Sequence, residues 1–340
     1  MAIIGASGYS GEELVRILSE HPGVEIACVT SRQHEGEKLT QVYPRFTKKP
    51  RLETIRFIGG KIEEVVATGA KTAILALPHG LAAEFAIPLL EAGLRVIDLS
   101  ADFRMRSLDV YQEFYPEKHQ APEWLEKAVY GMPELYREKI QDARLIASPG
   151  CYPTSVILPL VPFLRAGVCS TQGIVVNSLS GVSGAGKKAS VDFSYVECNE
   201  NVKAYGIPKH RHLSEIEQEL GIAAGKPLTI SFFPHLIPLN RGILTTTRVE
   251  WTGGDTDPGE ILREAYGDEP FIRLLEGDLT PNVKWVVQTN FVDIAWRLDK
   301  RTGSLVLMSA EDNLTKGASG QAIQSLNICL GLDETTGLLG

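Results

Sequence analysis

Met1-Ala2-Ile3-Ile4-Gly5-Ala6-Ser7-Gly8-Tyr9-Ser10-Gly11-Glu12-Glu13-Leu14-Val15-Arg16-Ile17-Leu18 is the stretch that decides the fold. An apolar run meets a glycine-rich turn, and Leu14, Ile17 and Leu18 then recur on one face at helical spacing. Strand, turn and helix in that order form a dinucleotide-binding context. There glycines permit a tight turn, let backbone approach a pyrophosphate, and let helix and strand pack closely. The spacing is G-x-x-G-x-x-G and not G-x-G-x-x-G, so the turn needs support from neighbouring segments. Gly5, Ser7, Gly8, Tyr9, Ser10 and Gly11 are the cofactor contacts it offers.

Residues 24–104 supply that support. Val24–Thr30 has a strand pattern and ends in Ser31-Arg32. An acid at this point would hold a ribose 2′-hydroxyl; Ser31 and Arg32 suit a 2′-phosphate instead, which favours NADP(H) over NAD. Strand patterns at Thr72–Leu77 and Leu94–Leu99 flank a helical pattern from Leu81 to Leu90, an alternation that predicts a parallel sheet with helices on both faces. Leu77, Pro78, His79 and the run Ser100–Arg104 follow these strands, at the carboxyl edge where such sheets bind ligands. Leu77, Pro78 and Ser100 therefore join the cofactor candidates. His79 reads as a hydrogen-bonded turn histidine. Arg104 suits either a clamp for phosphate or carboxylate or a structural ion pair. Residues 105–143 read as an irregular excursion.

Arg144–Ala147 predicts another short buried strand, broken by Pro149-Gly150 before Cys151-Tyr152-Pro153-Thr154. This places a thiol at the mouth of a helix, where unpaired N–H groups and the positive dipole end favour an anion. Such a cysteine is expected to have a depressed pKa and to act as a nucleophile. Pro159 and Pro162 predict that the helix is short or kinked. Beyond it the pattern turns to strands at Gly173–Ser178, Leu228–Phe233, Gly242–Trp251, Asn290–Arg297 and Ser304–Ala310, with Pro258–Tyr266 helical. This predicts a second, α+β domain with a mixed or antiparallel sheet.

Three features of this second half bear on chemistry. Ser180–Lys188 is glycine-rich without P-loop spacing; its N–H groups suit an anion-binding nest, which makes Ser183 and Gly184 cofactor candidates and Ser180 a substrate candidate. Tyr205-Gly206-Ile207-Pro208-Lys209-His210-Arg211-His212 precedes Ser214, which is expected to cap a helix. The two histidines lack a third metal ligand, so no metal is expected, and one of them suits general acid/base work beside Cys151. Tyr205 joins the substrate candidates. Asp312–Ala322 opens a final helix expected to return to the first domain, with Asn313 beside the nicotinamide.

Composition excludes several classes. With 44% hydrophobic and 22% charged residues, the 340-residue chain suits a two-domain soluble protein. A net charge of −8 argues against nucleic-acid binding. Five scattered cysteines show no disulfide framework, no apolar run approaches membrane-span length, and nothing basic precedes the first strand. A cytoplasmic enzyme is expected.

Taken in order, Gly5–Gly11, Leu77–Gly80, Ser100–Arg104, Pro149–Thr154, Ser180–Gly186, His210–His212 and Asp312–Gly320 resemble the N-acetyl-γ-glutamyl-phosphate reductase family of arginine biosynthesis. That family is related to aspartate-semialdehyde dehydrogenase and, more distantly, to glyceraldehyde-3-phosphate dehydrogenase. The resemblance implies a Rossmann-type NADP-binding domain at 1–150, completed by a C-terminal helix at 313–340, and a catalytic and dimerisation domain at 151–312. It implies Cys151 as acyl-accepting nucleophile, His210 as acid/base with His212 second, and Arg104 on the substrate phosphate. Asn313 would lie beside the nicotinamide, in a homodimer or homotetramer. The implied reaction is NADPH-dependent reduction of an acyl phosphate through a cysteine thioester. The rivals are reduction of carrier-bound aminoadipyl phosphate in lysine biosynthesis, an aspartate-semialdehyde dehydrogenase, an aldehyde dehydrogenase acting without phosphate, and a non-catalytic NADP-binding redox sensor.

Overall fold

The apolar triplets near the N-terminus pair as parallel strands in the computed structural model, which describes residues 1–187 and 189–339. Lys188, the last residue of the predicted glycine loop, and Gly340 lie outside the described residues. Among the described residues the first sheet has seven strands: β1 (Ala2–Ile4), β2 (Cys28–Thr30), β3 (Phe57–Ile58), β4 (Thr72–Leu75), β5 (Arg95–Asp98), β6 (Val129–Tyr130) and β7 (Leu145–Ala147). Their order is β3-β2-β1-β4-β5-β7-β6, and every pairing is parallel. Ile3, Ile4, Ile74, Leu75, Val96, Ile97 and Ile146 are fully buried, as continuous apolar strands covered on both faces must be. This is the expected Rossmann-type sheet.

Two expectations within this unit are corrected. Residues 105–143 are not irregular: helices Leu108–Phe114 and Pro133–Gln141 flank β6, which pairs with β7. The aromatics that obscured this form a buried cluster, in which Tyr111 and Tyr115 stack at 4.9 Å around Met105 and Ala101. The last helix spans Gly320–Leu330, preceded by a π-turn at Thr315–Ser319, and is shorter than 313–340. Met1–Pro149 and Ala318–Gly340 make one compact unit, and Gly150–Gly317 the second.

In that second unit the strands are β8 (Ile174–Gly181), β9 (Lys203–Ala204), β10 (Ile230–Ile237), β11 (Ile243–Glu250), β12 (Ile272–Leu274), β13 (Val292–Asp299) and β14 (Ser304–Glu311). The order β12-β13-β14-β11-β8-β10-β9 contains parallel and antiparallel pairs, the expected mixed sheet. One face lies under the helix Cys151–Ala166, whose Ser155 hydroxyl bonds Thr245 on β11 at 2.8 Å. The other leaves Leu179, Phe233, Leu244 and Met308 half-exposed.

The helix Cys151–Ala166 is not the short element the prolines suggested, since it runs sixteen residues through both of them. Pro159 and Pro162 remove the N–H groups that the carbonyls of Ser155 and Leu158 would receive. Side chains replace them. Ser309 Oγ on β14 donates to the Ser155 carbonyl at 2.6 Å. The Tyr266 hydroxyl, at the end of the helix Pro258–Tyr266, donates to the Leu158 carbonyl at 2.7 Å. An unbonded buried carbonyl costs about 1–3 kcal/mol, which sets the scale of each replacement. Tyr266→Phe should therefore lower stability in urea unfolding by about 1–3 kcal/mol. In a Pro162→Ala background, where the restored N–H reaches Leu158, that loss should shrink by at least half; equal losses in both backgrounds would refute the account.

Candidate active site

Cys151 is the first residue of its helix, behind Gly150 as N-cap in an extended conformation (φ −72°, ψ 159°). The thiol is half-buried. The Gly150 N–H donates to Glu215 Oε2 at 2.9 Å, and Glu215 is fully buried in the first turn of the helix Leu213–Ala224. Against the thiol carbon lies Gly317: a Cβ there would stand 2.8 Å from Cys151 Cβ and 3.2 Å from its Cα. No side chain at 317 leaves Cys151 in place.

Tyr152 is buried, and its hydroxyl accepts from the Tyr205 hydroxyl at 2.9 Å. Burial, reinforced by Tyr205, raises the Tyr152 phenol far above its ordinary range, and burial pushes Tyr205 up to about 12. Both are neutral donors at physiological pH. The His210 ring stands edge-on to Tyr152 at 5.5 Å, Tyr205 at 5.4 Å and His212 at 5.0 Å. Gly206, at φ +63°, allows this, because a Cβ there would come within 2.9 Å of His210 Cδ2.

The backbone determines the tautomer of His210. Its Nδ1 accepts the His212 N–H at 3.1 Å, so Nδ1 carries no proton and Nε2 carries one, an assignment made from the hydrogen-bond network. Burial, followed by the Arg211 cation, lowers its pKa to about 4. His212 is the N-cap residue of the helix Leu213–Ala224. Ser214, expected as the cap, lies inside the helix and donates to the Arg211 carbonyl at 2.8 Å. Among the described residues no cluster of His, Cys, Asp and Glu forms a metal site.

The glycine loop departs from the expected nest. The N–H groups of Gly181, Val182, Ser183 and Gly186 are taken by the carbonyls of Gly242, Leu239, Asn240 and Ser183. The loop instead gathers the other candidates. Asn313 Nδ2 donates to Ser183 Oγ at 3.0 Å, and its Oδ1 accepts the Gly242 N–H at 2.6 Å. Ser180 Oγ donates to the Gly181 carbonyl at 3.0 Å, and a Cβ on Gly184 would stand 3.3 Å from that oxygen. Ser180, Ser183, Gly184 and Asn313 thus form one cluster in the second unit.

In the first unit each glycine of the opening turn has its own steric duty. Gly5 has φ +86°, and a Cβ there would meet the Ala76 carbonyl oxygen at 2.5 Å; one on Gly11 would meet Ala6 Cα at 2.5 Å. On Gly8 a Cβ would meet nothing nearer than 3.9 Å, so backbone is open there to a ligand. These are the turn, close-packing and close-approach roles of a dinucleotide site, and the residues fit a dinucleotide. The Ser31 hydroxyl donates to Ser7 Oγ at 3.1 Å, and Arg32 is exposed at the end of β2. Tyr9 begins the following helix, and the Ser10 carbonyl accepts from Ser319 at 2.9 Å. Leu77 is half-buried and Pro78 exposed beyond β4. His79 is the expected turn histidine, its Nδ1 accepting the Ala101 N–H at 2.9 Å.

Ser100 is buried, and its hydroxyl donates to Asp98 Oδ2 at 2.7 Å and accepts the Asp102 N–H at 3.1 Å, so its side chain is engaged within the protein. Arg104 is buried too, with Nε donating to the Ser148 carbonyl at 2.7 Å and Nη2 to the Leu99 carbonyl at 2.8 Å. Both bonds hold backbone at the carboxyl edge of the sheet.

Comparison with known proteins agrees with this architecture. Residues 1–143 match the semialdehyde dehydrogenase NAD-binding domain, and residues 151–313 the semialdehyde dehydrogenase dimerisation domain. An N-acetyl-gamma-glutamyl-phosphate reductase of Akkermansia muciniphila is 53% identical, covering 99% of this chain and 98% of its own. One of Pelotomaculum thermopropionicum is 44% identical over 100% of this chain and 97% of its own. The fold is shared with aspartate semialdehyde dehydrogenase II from Vibrio cholerae (TM-score 0.73, 22% identity, 97% of this chain and 98% of that one). It is shared also with the Candida albicans aspartate semialdehyde dehydrogenase with NADP (TM-score 0.70, 15% identity, 96% and 97%).

Sequence reasoning missed Glu215, Gly206 and Gly317. Gly206 lies inside the quoted Tyr205–His212 stretch and Glu215 just beyond it, close enough to have been suspected; Gly317 lies 166 residues from Cys151, and no local signal joins them. With Cys151 as the expected nucleophile, Gly317→Ala should lower kcat by about 100-fold, the cost of displacing a reacting atom by about 1 Å. Steady-state kinetics with a matched thermal melt check this, and a variant with unchanged kcat would refute it.

Proposed function

This chain belongs to the N-acetyl-γ-glutamyl-phosphate reductases of the semialdehyde dehydrogenase family, and from that premise we propose how its residues carry the reaction. It reduces N-acetyl-γ-glutamyl phosphate to N-acetyl-L-glutamate 5-semialdehyde and phosphate, in arginine biosynthesis. Neither a carrier-bound substrate nor aspartate semialdehyde is favoured by relatives 42–53% identical that share this one name. A bound nicotinamide supplies the hydride.

The observation that carries the residue assignment is a thiol at a helix N-terminus, backed by a glycine, in the same unit as a half-buried histidine of fixed tautomer. Cys151, as thiolate, attacks the γ-acyl carbon; the carbon–oxygen bond to phosphate breaks, and a thioester forms on Sγ. Amides at the start of the helix receive the oxyanion. His210 donates Nε2–H to the same oxygen. It is poorly suited to be the base, because its bare nitrogen already accepts the His212 N–H and its basicity is low. Proton transfer therefore falls to His212, reversing the expected preference. Collapse of the hemithioacetal releases the aldehyde and the thiol. Tyr205 and Ser180 contact substrate, and Arg104 holds the turn beside the phosphate while contributing its charge. Ser183, Gly184 and Asn313 form the wall for the nicotinamide.

NADP(H) is the proposed cofactor, with Gly5, Ser7, Gly8, Tyr9, Ser10 and Gly11 cradling pyrophosphate and Leu77 and Pro78 lining the approach. Ser31 and Arg32 receive the 2′-phosphate. Residues 1–150 with the last helix serve as the NADP-binding domain, and 151–312 as the catalytic one. The half-exposed apolar face of Leu179, Phe233, Leu244 and Met308, in a region matching a dimerisation domain, is proposed to pair two copies. The cysteines, none of them in a disulfide among the described residues, suit a reducing cytoplasm. Among the described residues no helix is long and apolar enough to cross a membrane.

Activity with N-acetylglutamate semialdehyde, NADP and phosphate tests the whole reading, and Cys151→Ser should abolish it. In the pH dependence of kcat/KM, His210→Asn should lower the plateau by about 100-fold, of the order of losing one oxyanion donor, and leave any limb between about pH 6 and 8 in place. A group with a pKa of about 4 becomes cationic only below that range. His212→Asn should lower kcat further than His210→Asn does; the reverse order would return the base to His210. Arg32→Ala should raise KM for NADP about tenfold and leave KM for NAD unchanged, the loss of one charge-assisted bond. Equal effects on both would refute the 2′-phosphate assignment.

A further inference from the structure

Asp312 is fully buried immediately after β14, and its carboxylate gathers donors from three segments of the second unit. Oδ1 accepts the Leu314 and Thr315 N–H groups at 2.8 and 3.0 Å and Arg241 Nη2 at 2.9 Å. Oδ2 accepts the Gln288 N–H at 2.6 Å and lies 2.9 Å from Arg241 Nε. Arg241 Nη2 also donates to Thr315 Oγ1 at 2.9 Å. The guanidinium thus grips a carboxylate and the turn that the carboxylate winds, the geometry for which a planar fork is suited and an ammonium is not.

That turn ends at Gly317, whose N–H returns to the Asp312 carbonyl at 2.9 Å and whose α-carbon is the surface pressed on Cys151. Arg241 lies in the β10–β11 connection, beside Gly242, whose N–H bonds Asn313. Its anchorage therefore passes to the thiol through Asp312, Thr315 and Gly317, with no contact to a reacting atom needed.

We propose that Arg241 is a positioning residue for the cysteine chemistry, setting the Asp312–Gly317 turn that fixes where the Cys151 thiol points. The inference rests on Cys151 being the nucleophile. It assigns Arg241 and Asp312 to rate and thiol reactivity, and leaves cofactor affinity to other residues. A purely structural ion pair would lower the melting temperature and leave the reactivity of the folded protein alone.

The test uses the full-length enzyme with two readouts. One is steady-state turnover of N-acetylglutamate semialdehyde with NADP and phosphate. The other is the rate of Cys151 alkylation by iodoacetamide across pH, read by peptide mass. Arg241→Lys should lower kcat at least 30-fold, leave KM for NADP within threefold, and shift the alkylation profile of Cys151. Thr315→Val, which removes one bond from the clamp, should do the same to a lesser degree, about fivefold in kcat. It serves as the test if Arg241→Lys does not fold. A folded Arg241→Lys or Thr315→Val protein with wild-type kcat and a wild-type alkylation profile overturns the inference. A Cys151→Ser protein that retained turnover would instead overturn the reading beneath it, so the two failures are distinguishable.

Discussion

The buried backbone of the helix Cys151–Ala166 is the constraint on which the second unit depends. Every residue from Tyr152 to Leu164 is buried, so each polar backbone group there needs a partner inside the protein. Two internal prolines make that demand harder, and Ser309 and Tyr266 meet it from a strand and a helix packed alongside. At the N-terminal end Glu215 holds the Gly150 amide. Apolar packing alone would tolerate a helix that slides by a fraction of an ångström; directional bonds at both prolines and at the cap do not. The thiol inherits that fixity.

The first unit reaches the same end with glycines and carboxylates. Gly5 and Gly11 bring strand and helix closer than any side chain permits, while the Gly5 N–H bonds Thr30 Oγ1 on the neighbouring strand at 3.0 Å. Asp102 accepts the N–H groups of Gly80 and Ala82 at 2.7 and 2.9 Å and thereby starts the helix Ala82–Glu91. Asp98, buried beneath it, has its carboxyl pushed up to about 7 by burial and by the Asp102 charge. Arg104 ties the carbonyls of Leu99 and Ser148 across the strand ends. These bonds fix the edge of the sheet through the protein's own groups.

Periodicity exposed what is local. The strand–turn–helix at Gly5–Gly11, the β-rich second half and the thiol at a helix mouth were all legible, because each is written in a run of adjacent residues. What failed has two causes, distant partners and competing near neighbours. Pro159 and Pro162 predicted a break because the compensating donors, Ser309 and Tyr266, lie more than a hundred residues away. Ser180–Gly186 looked like a nest because its composition says nothing of the β10–β11 connection that takes up its amides. Ser100 looked available at a strand end until Asp98 and Asp102 closed on it. Ser214 had a cap's composition, but the cap is His212 and the helix began two residues earlier than expected, at Leu213. The misses at the prolines and the glycine loop come from partners distant in the chain, whereas Ser100 and Ser214 are bonded by residues two or three positions away.

Relative magnitudes bear on what would make the thiol effective in the nucleophilic role proposed for it. A helix N-terminus favours an anion by about 0.3–1 kcal/mol at ordinary exposure. Here one of its amides is engaged by Glu215, a carboxylate, while burial keeps Tyr152, Tyr205 and His210 neutral at physiological pH. Holding two reacting atoms in alignment contributes about 7–11 kcal/mol at its best, an order of magnitude more. The contacts around Cys151 follow the larger quantity. Gly317 presses on its Cβ, Glu215 holds the residue before it, and neutral aromatic and imidazole rings pack beside the residue after it. A site assembled chiefly to acidify a thiol would place a cation or an open amide where Glu215 stands; this one places a hydrogen-bond acceptor, and so keeps the geometry.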